Sequence, residues 1–266
     1  MNPRQACLAC LTRSPPAPFE AALWVAAEHQ ALQPEAILRE LNTLQQQVSA
    51  GLPSLPAAEL AQPLLQRLHE LGFEEDLDLP LRPHAALLNQ VLRRRRGQPL
   101  ALALLALELA ERLAIPLLGI NFPGHFLLRV PGADHLLDPC SGRRLYTRDC
   151  RDLLLRLHGP HTELRASDLQ SCNAQQLLQR LSRNLRHLHL QAQDYLAALK
   201  DAERVLQLGQ PTALDHLARA DLYQQLDCPQ AERFDLQQAL LLSDNSAQQL
   251  QLSQRLRHLQ ACPALH

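Results

Sequence analysis

Aromatic side chains are scarce in this chain. One tryptophan, three tyrosines and five phenylalanines make up 3% of 266 residues, and there is a single methionine. The core of a chain this long must therefore be built from leucine and alanine, a composition that favours helix. Net charge is missing too. Lys and Arg number 26 against 27 Asp and Glu, for a formal charge of -1. That balance excludes a global pull toward nucleic acid or an anionic membrane. No apolar run has bilayer length; the one at 99–110 is followed at once by Glu111 and Arg112. The opening MNPRQACLACLTRSPP has too short an apolar run for a secretory leader, and no clean small-residue cleavage site follows it. Cysteines at 7, 10, 140, 150, 172, 228 and 262 repeat no spacing, which argues against a disulfide framework and for a reducing compartment. The expectation is a cytoplasmic protein.

Read in order, residues 1–16 look like a loose lead-in, with Cys7 and Cys10 as free thiols on a mobile end. From Phe19 the pattern turns helical. Pro34 opens a second helix with Ile37, Leu38, Leu41 and Leu44 on its buried stripe, and Ala57 to Leu71 is a third, kinked or shortened by Pro63. Residues 73–83, FEEDLDLPLRP, are an acidic connector. His84 to Arg96 reads as a helix closed by Gly97. Its terminal Arg93–Arg96 run reads as a solvated helix end that complements the negative end of the helix dipole, not as a phosphate patch.

The stretch 97–142 concentrates what chemistry the chain offers. Pro99 opens a helix that is apolar all round until Glu108, and so is expected to be buried on nearly every side. Three short strands follow at 117–121, 125–130 and 135–138, separated by Pro123-Gly124 and by the turn 131–134. If Val130 faces His135, directly opposed residues sum to 265. His125 then lies opposite Cys140. Asp138 lies opposite Leu127, on the face of His125 and one diagonal step away. Residues 147–157 predict a short helix, and 159–168 a linker.

Beyond the linker the chain is helical, with an internal repeat read at a spacing of 33 residues, as from Arg186 to Arg219. Helices 176–191 with 194–208, and 213–226 with 229–242, form two copies, and 246–260 caps them. The period is near the ~34 residues of a tetratricopeptide repeat, whose units bury their faces by stacking on neighbours. His187 and His189 are two apart on a helix and point to different faces, so no metal-ligand cluster and no cofactor is expected.

The order buried helix, strand, PGHF strand, turn, strand ending in DP resembles the transglutaminase-like branch of the cysteine-protease superfold. More closely, the chain resembles the bacterial SirB family, a transglutaminase-like domain with a C-terminal tetratricopeptide segment. The resemblance is carried by GF at 72–73, LLNQVLRRRRGQPLAL at 87–102, RLAIPLLGINFPGHFLLRV at 112–130, LLDPCSGRRL at 136–145 and LARADLYQQLDCPQAERFDLQQAL at 217–240. It implies an α+β fold: a mainly helical, transglutaminase-like core with a small antiparallel sheet, then a helical repeat tail. The two domains are expected at 17–160 and 172–262.

The resemblance also implies a site. Active members use a Cys–His–Asp triad, in which a thiolate attacks, an imidazole holds the proton and a carboxylate orients the ring. By motif His125 matches the histidine and Asp138 the aspartate, while Pro99, Leu100 and Ala101 stand where the cysteine should begin the helix. None of the three is a nucleophile. The expected function is a non-catalytic interaction or regulatory protein. It would hold a protein or peptide partner through its repeats, with no role at a membrane or on nucleic acid. The alternative is an acyl-transfer or amide-hydrolysing enzyme using His125, Asp138 and Cys140.

Overall fold

The structure, a computed structural model, describes residues 2–159 and 161–261; the expected domain limits at 160 and 262, with Cys262, lie outside them. Packing divides the chain into two compact units, Met1–Leu181 and Ser182–His266.

The first unit begins with a correction. Residues 1–16 are not a loose lead-in, because α1 (Pro3–Leu11) is a regular helix packed on α2 (Pro18–Ala27). Pro3 sits in its first turn and the Asn2 side chain accepts the Arg4 N–H at 2.9 Å. The CxxC spacing is also helical spacing. Cys7 and Cys10 join Ala6 and Leu11 in one buried apolar stripe, so they serve as packing residues. Arg4 closes the pair by forking onto Glu28 at 2.9 and 2.6 Å.

Next come α3 (Pro34–Ser49), a single 3₁₀ turn at Ala57–Glu59, and α4 (Ala61–Glu70). Pro63 lies in the first turn of α4, where it removes no intrahelical bond, and the helix is shortened accordingly. The connector then contributes β1 (Glu74–Glu75).

The helix expected over His84–Arg96 is shorter and its end is different. A 3₁₀ turn at Pro83–Ala85 precedes α5 (Leu88–Arg94), which Arg95 ends in a left-handed conformation (φ 56). Arg96–Gly97 then run as β2, parallel to β1, with Glu74 paired to Arg96 and Glu75 to Gly97. Gly97 is required here because a Cβ would lie 2.8 Å from Val91 Cγ2.

α6 (Pro99–Arg112) is the central helix. Leu100 through Ala106, with Leu109 and Ala110, are all buried. Around it pack α2, α4 and α5, whose Leu23, Leu64, Leu65 and Leu88 are shut off from solvent. Each such leucine contributes roughly 1.5–3 kcal/mol on burial.

The sheet is a four-stranded antiparallel meander: β3 (Leu118–Ile120), β4 (Leu127–Arg129), β5 (Leu136–Leu137) and β6 (Arg144–Leu145) in that order. Leu128 pairs with Leu137, and 128 and 137 sum to 265, the register read from the sequence. α7 (Thr147–His158) lays Cys150 and Leu154 on Ile120, Phe122 and Leu127 of this sheet.

The second unit takes the end of α8 (Ala174–Gln191) and then α9 (Tyr195–Gln207), α10 (Ala213–Gln225), α11 (Pro229–Leu242) and α12 (Ser246–Ala261). Its true period is one residue longer than the sequence reading. α8 and α10 end at 191 and 225, Gln193 and Asp227 both turn left-handed, and α9 and α11 begin at 195 and 229. All three offsets are 34.

Buried aspartates tie these helices together. Asp201 meets His189 at 2.7 Å, Asp215 is forked by Arg183 at 2.9 and 2.7 Å, and Asp235 takes both His216 at 2.8 Å and a fork from Arg219. Paired and hydrogen-bonded, such carboxylates tolerate burial that an isolated one would not. None of the six described cysteines is in a disulfide, and among the described residues no helix is long and apolar enough to cross a membrane.

The junction of connector and arginine run gives a first test. Asp76 is 3% exposed and bonds Arg94 at 2.5 Å. Burial alone would raise its carboxyl, but Arg94 and the Asp78 N–H outweigh that and hold it below its ordinary value. We expect Asp76→Ala to lower the unfolding free energy by about 2 kcal/mol at pH 7 in urea titrations. A depressed carboxyl stabilises the fold above its unfolded-state value near ~3.9 and loses that contribution as pH falls through the folded value. The deficit should therefore shrink below about pH 4. A variant as stable as the parent at pH 7 would show that the pair does not anchor β1.

Candidate functional site

The connector and the arginine run account for one another. Parallel pairing of β1 with β2 sets Arg96 against Glu74, 3.0 Å from Nε to Oε1. Arg94 spans Asp76 and, at 3.5 Å, Asp78. Arg95 lies over the Phe73 ring, 5.8 Å from its centroid, and donates to the Leu71 carbonyl at 2.6 Å. Three of the four guanidiniums are thus engaged by residues 71–78. Glu75 makes no ion pair among the described residues, and it stands opposite Gly97, two residues ahead of the start of α6.

That start carries no nucleophile. Pro99 occupies the first helical turn, and behind it Leu100 is 2% and Ala101 0% exposed. A thiol here would have had the positive end of the helix dipole behind it; hydrocarbon fills the place.

His125 is not in a strand. β4 begins two residues later, so His125 closes the Pro123-Gly124 turn, with its N–H on the Phe122 carbonyl at 3.2 Å. Gly124 at φ 70 has Leu157 of α7 directly over it, leaving no room for a side chain. The ladder does not extend far enough to pair His125 with Cys140. Both β5 and the Asp138 backbone turn toward β6 instead, through Asp138 N–H to Arg143 carbonyl at 2.9 Å and Gly142 N–H to Asp138 carbonyl at 2.8 Å.

Asp138 spends its carboxylate on that turn. Oδ1 accepts the Cys140 N–H at 3.0 Å and Oδ2 the Ser141 hydroxyl at 2.7 Å. Among the described residues no hydrogen bond joins it to His125, whose ring makes none. The carboxylate and imidazole are neighbours through their charges only.

Those charges stand in the wrong places for cysteine chemistry. The pKa of His125 is lowered by burial, then by the Arg180 guanidinium, with Asp138 opposing. Arg180 is held beside it by the Phe122 carbonyl at 2.8 Å and by Asn121, and lies 5.9 Å from the Phe126 centroid. The Cys140 thiol is pushed far up, by burial first and then by the charges of Asp138 and Glu75 and a hydrogen bond to Asp138. Glu75 is itself raised, by partial desolvation and by Asp138. An active pair needs an anion stabilised at sulfur and a cation stabilised at the ring. Here a cation that Asp138 only partly offsets stands by the ring, and two carboxylates stand by the sulfur.

Of the residues singled out in the sequence, Asp138 and Cys140 meet directly and His125 stays apart. Two that matter, Glu75 and Arg180, were not singled out. Glu75 sits beside the GF pair in an acidic run, a faint signal. Arg180 is one arginine on an amphipathic helix, and nothing local marks it.

The profile of the transglutaminase-like superfamily matches residues 35–183, and the UPF0162 protein PA3419 of Pseudomonas aeruginosa is 63% identical over 97% of both chains. The chain belongs to the transglutaminase-like superfamily, in its UPF0162 family. Within that family the protein YchA of Escherichia coli K12 is 29% identical over 70% of this chain and 74% of its own. Protein SirB1 of Salmonella typhimurium is 26% identical over 63% of each. No solved structure gives a significant match. The transglutaminase-like match thus covers α3 through most of α8, including His125, Asp138 and the cysteine-less start of α6.

The electrostatics around His125 can be read by NMR. The His125 ring is expected to titrate below the ordinary ~6.5 of a histidine. Arg180→Gln should raise that midpoint and Asp138→Asn lower it further, because each removes one of the two opposing charges. A midpoint at or above the ordinary value, or one that neither substitution moves, would contradict the placement of these charges.

Proposed function

We propose that this chain is a non-catalytic binding protein, a transglutaminase-like domain that has lost its Cys–His chemistry and works with a repeat-like helical tail. The observation that carries this reading is the inverted charge around the two reactive groups. A thiol beside two carboxylates does not ionise near neutral pH, and an imidazole beside a guanidinium is a poor holder of a transferred proton. The alternative, acyl transfer or amide hydrolysis through Cys140, needs both to happen.

The tail supplies a reason to bind. Its offset of 34 residues between successive helix pairs is the period of tetratricopeptide units. On α11, Phe234 and Leu241 are seven residues apart, hence on one face, and are 53% and 78% exposed. We read this face as the seat of a protein or peptide partner. The lack of a disulfide among the described cysteines is in keeping with a reducing compartment such as the cytoplasm.

The two readings separate on one set of variants of the full chain. The double substitution Phe234→Ser with Leu241→Ser is expected to remove the proteins that the immobilised chain retains from bacterial extract. His125→Ala and Cys140→Ser should leave them in place. Retention that depends on His125 or Cys140, or turnover of p-nitrophenyl acetate that Cys140→Ser abolishes, would overturn the non-catalytic reading.

A further inference from the structure

The outer edge of the four-stranded sheet carries a second feature, separate from the tail and from the surroundings of His125. β3 is an edge strand, and residues 171–172 run antiparallel against part of it. Ile120 bridges to Ser171, and the Cys172 N–H donates to the Gly119 carbonyl at 2.9 Å. At Asn173 the chain leaves this edge, because the Asn173 side chain caps the next helix by accepting the Gln176 N–H at 2.9 Å. Strand alternation sends the polar groups of Gly119 outward, and Leu117 stands just ahead of the strand. Leu117 makes no backbone hydrogen bond among the described residues.

A cavity of about 590 Å³ opens where the chain departs. That is the size of an ordinary ligand or side-chain pocket. Leu104, Leu107, Ile115 and Leu117 give it apolar walls, and its only charged lining residues among those described are Glu108 and Glu111. Glu108 is neutralised by Arg112, 2.6 Å away. Glu111 is exposed and has no ion-pair partner among the described residues. The site therefore offers three things together: a main-chain residue without a backbone partner among the described residues just ahead of β3, an aliphatic hole and one uncompensated negative charge.

We propose that this groove binds an extended peptide segment that pairs with the main chain at Leu117, just ahead of β3, buries an aliphatic side chain among Leu104, Leu107 and Ile115, and sets a lysine or arginine against Glu111. Strand addition supplies main-chain affinity, and the hole and the carboxylate supply selectivity. A neutral apolar small molecule would fill the hole but leave both the edge and the charge unused.

The test selects heptapeptides from a random phage-displayed library against the full chain. Recovered sequences should carry Lys or Arg within two positions of Leu, Ile or Val. Synthetic peptides of that consensus should bind at least tenfold more weakly to Glu111→Lys, and measurably more weakly to Glu111→Gln. Glu111 lies on the surface, so neither change should disturb folding, which circular dichroism checks. Bound peptide should slow hydrogen exchange at the Leu117 amide. Failure to recover binders, binders indifferent to both Glu111 variants, or protection confined to other amides would each overturn the proposal.

Discussion

Cysteine–histidine catalysis rests on an ion pair, and an ion pair exists only where the surroundings favour a negative sulfur and a positive ring. In this protein the surroundings favour the opposite. Arg180 stands by the imidazole, and Asp138 and Glu75 stand by the thiol. Each pKa unit of displacement is worth about 1.4 kcal/mol between protonation states, so opposed shifts on the two partners compound. No small movement of the ring toward Cys140 would repair this, since the carboxylates would remain beside the sulfur. The start of α6 carries no cysteine, and the charges around His125 and Cys140 are a separate obstacle to ion-pair chemistry between them.

The arrangement follows from the scaffold. The acidic connector exists to meet the arginine run. Pairing β1 with β2 uses Glu74 on Arg96 and Asp76 on Arg94, and leaves Glu75 facing the other way, toward Asp138 and Cys140. On the other side, α8 brings Arg180 to the carbonyl of Phe122, just ahead of the turn that carries His125. Asp138 is engaged by the tight turn at Pro139, where the Cys140 N–H and the Ser141 hydroxyl occupy both its oxygens. A carboxylate so occupied has little left with which to orient a ring.

Much of the fold was legible because it is written in short-range pattern. The apolar run of 99–110 announced the central helix, prolines marked helix starts, and the alternation around PGHF set a register that the sheet adopts. What was missed depends on pairing across distance. The end of α5 was misjudged because Arg95 adopts a left-handed turn that only the β1–β2 ladder explains. The tail was read one residue short, since matching Asp194 to Asp227 aligns letters, whereas the structure equates Asp194 with Cys228 as helix caps. In the site, His125 and Asp138 could be named from motif. Their separation could not, because it hangs on the hydrogen bonds of one turn and on an arginine some fifty residues away.

The central claim concerns the ionisation of one sulfur, and that can be measured directly. Iodoacetamide reacts with the thiolate only, so its rate at each cysteine of the native chain, followed by peptide mass spectrometry across pH, reports each thiol's midpoint. The account predicts that Cys140 alkylates with a midpoint above the ordinary ~8.5 of a cysteine, and that Glu75→Gln brings it down. A Cys140 midpoint at or below that ordinary value, with rapid alkylation at neutral pH, would contradict it.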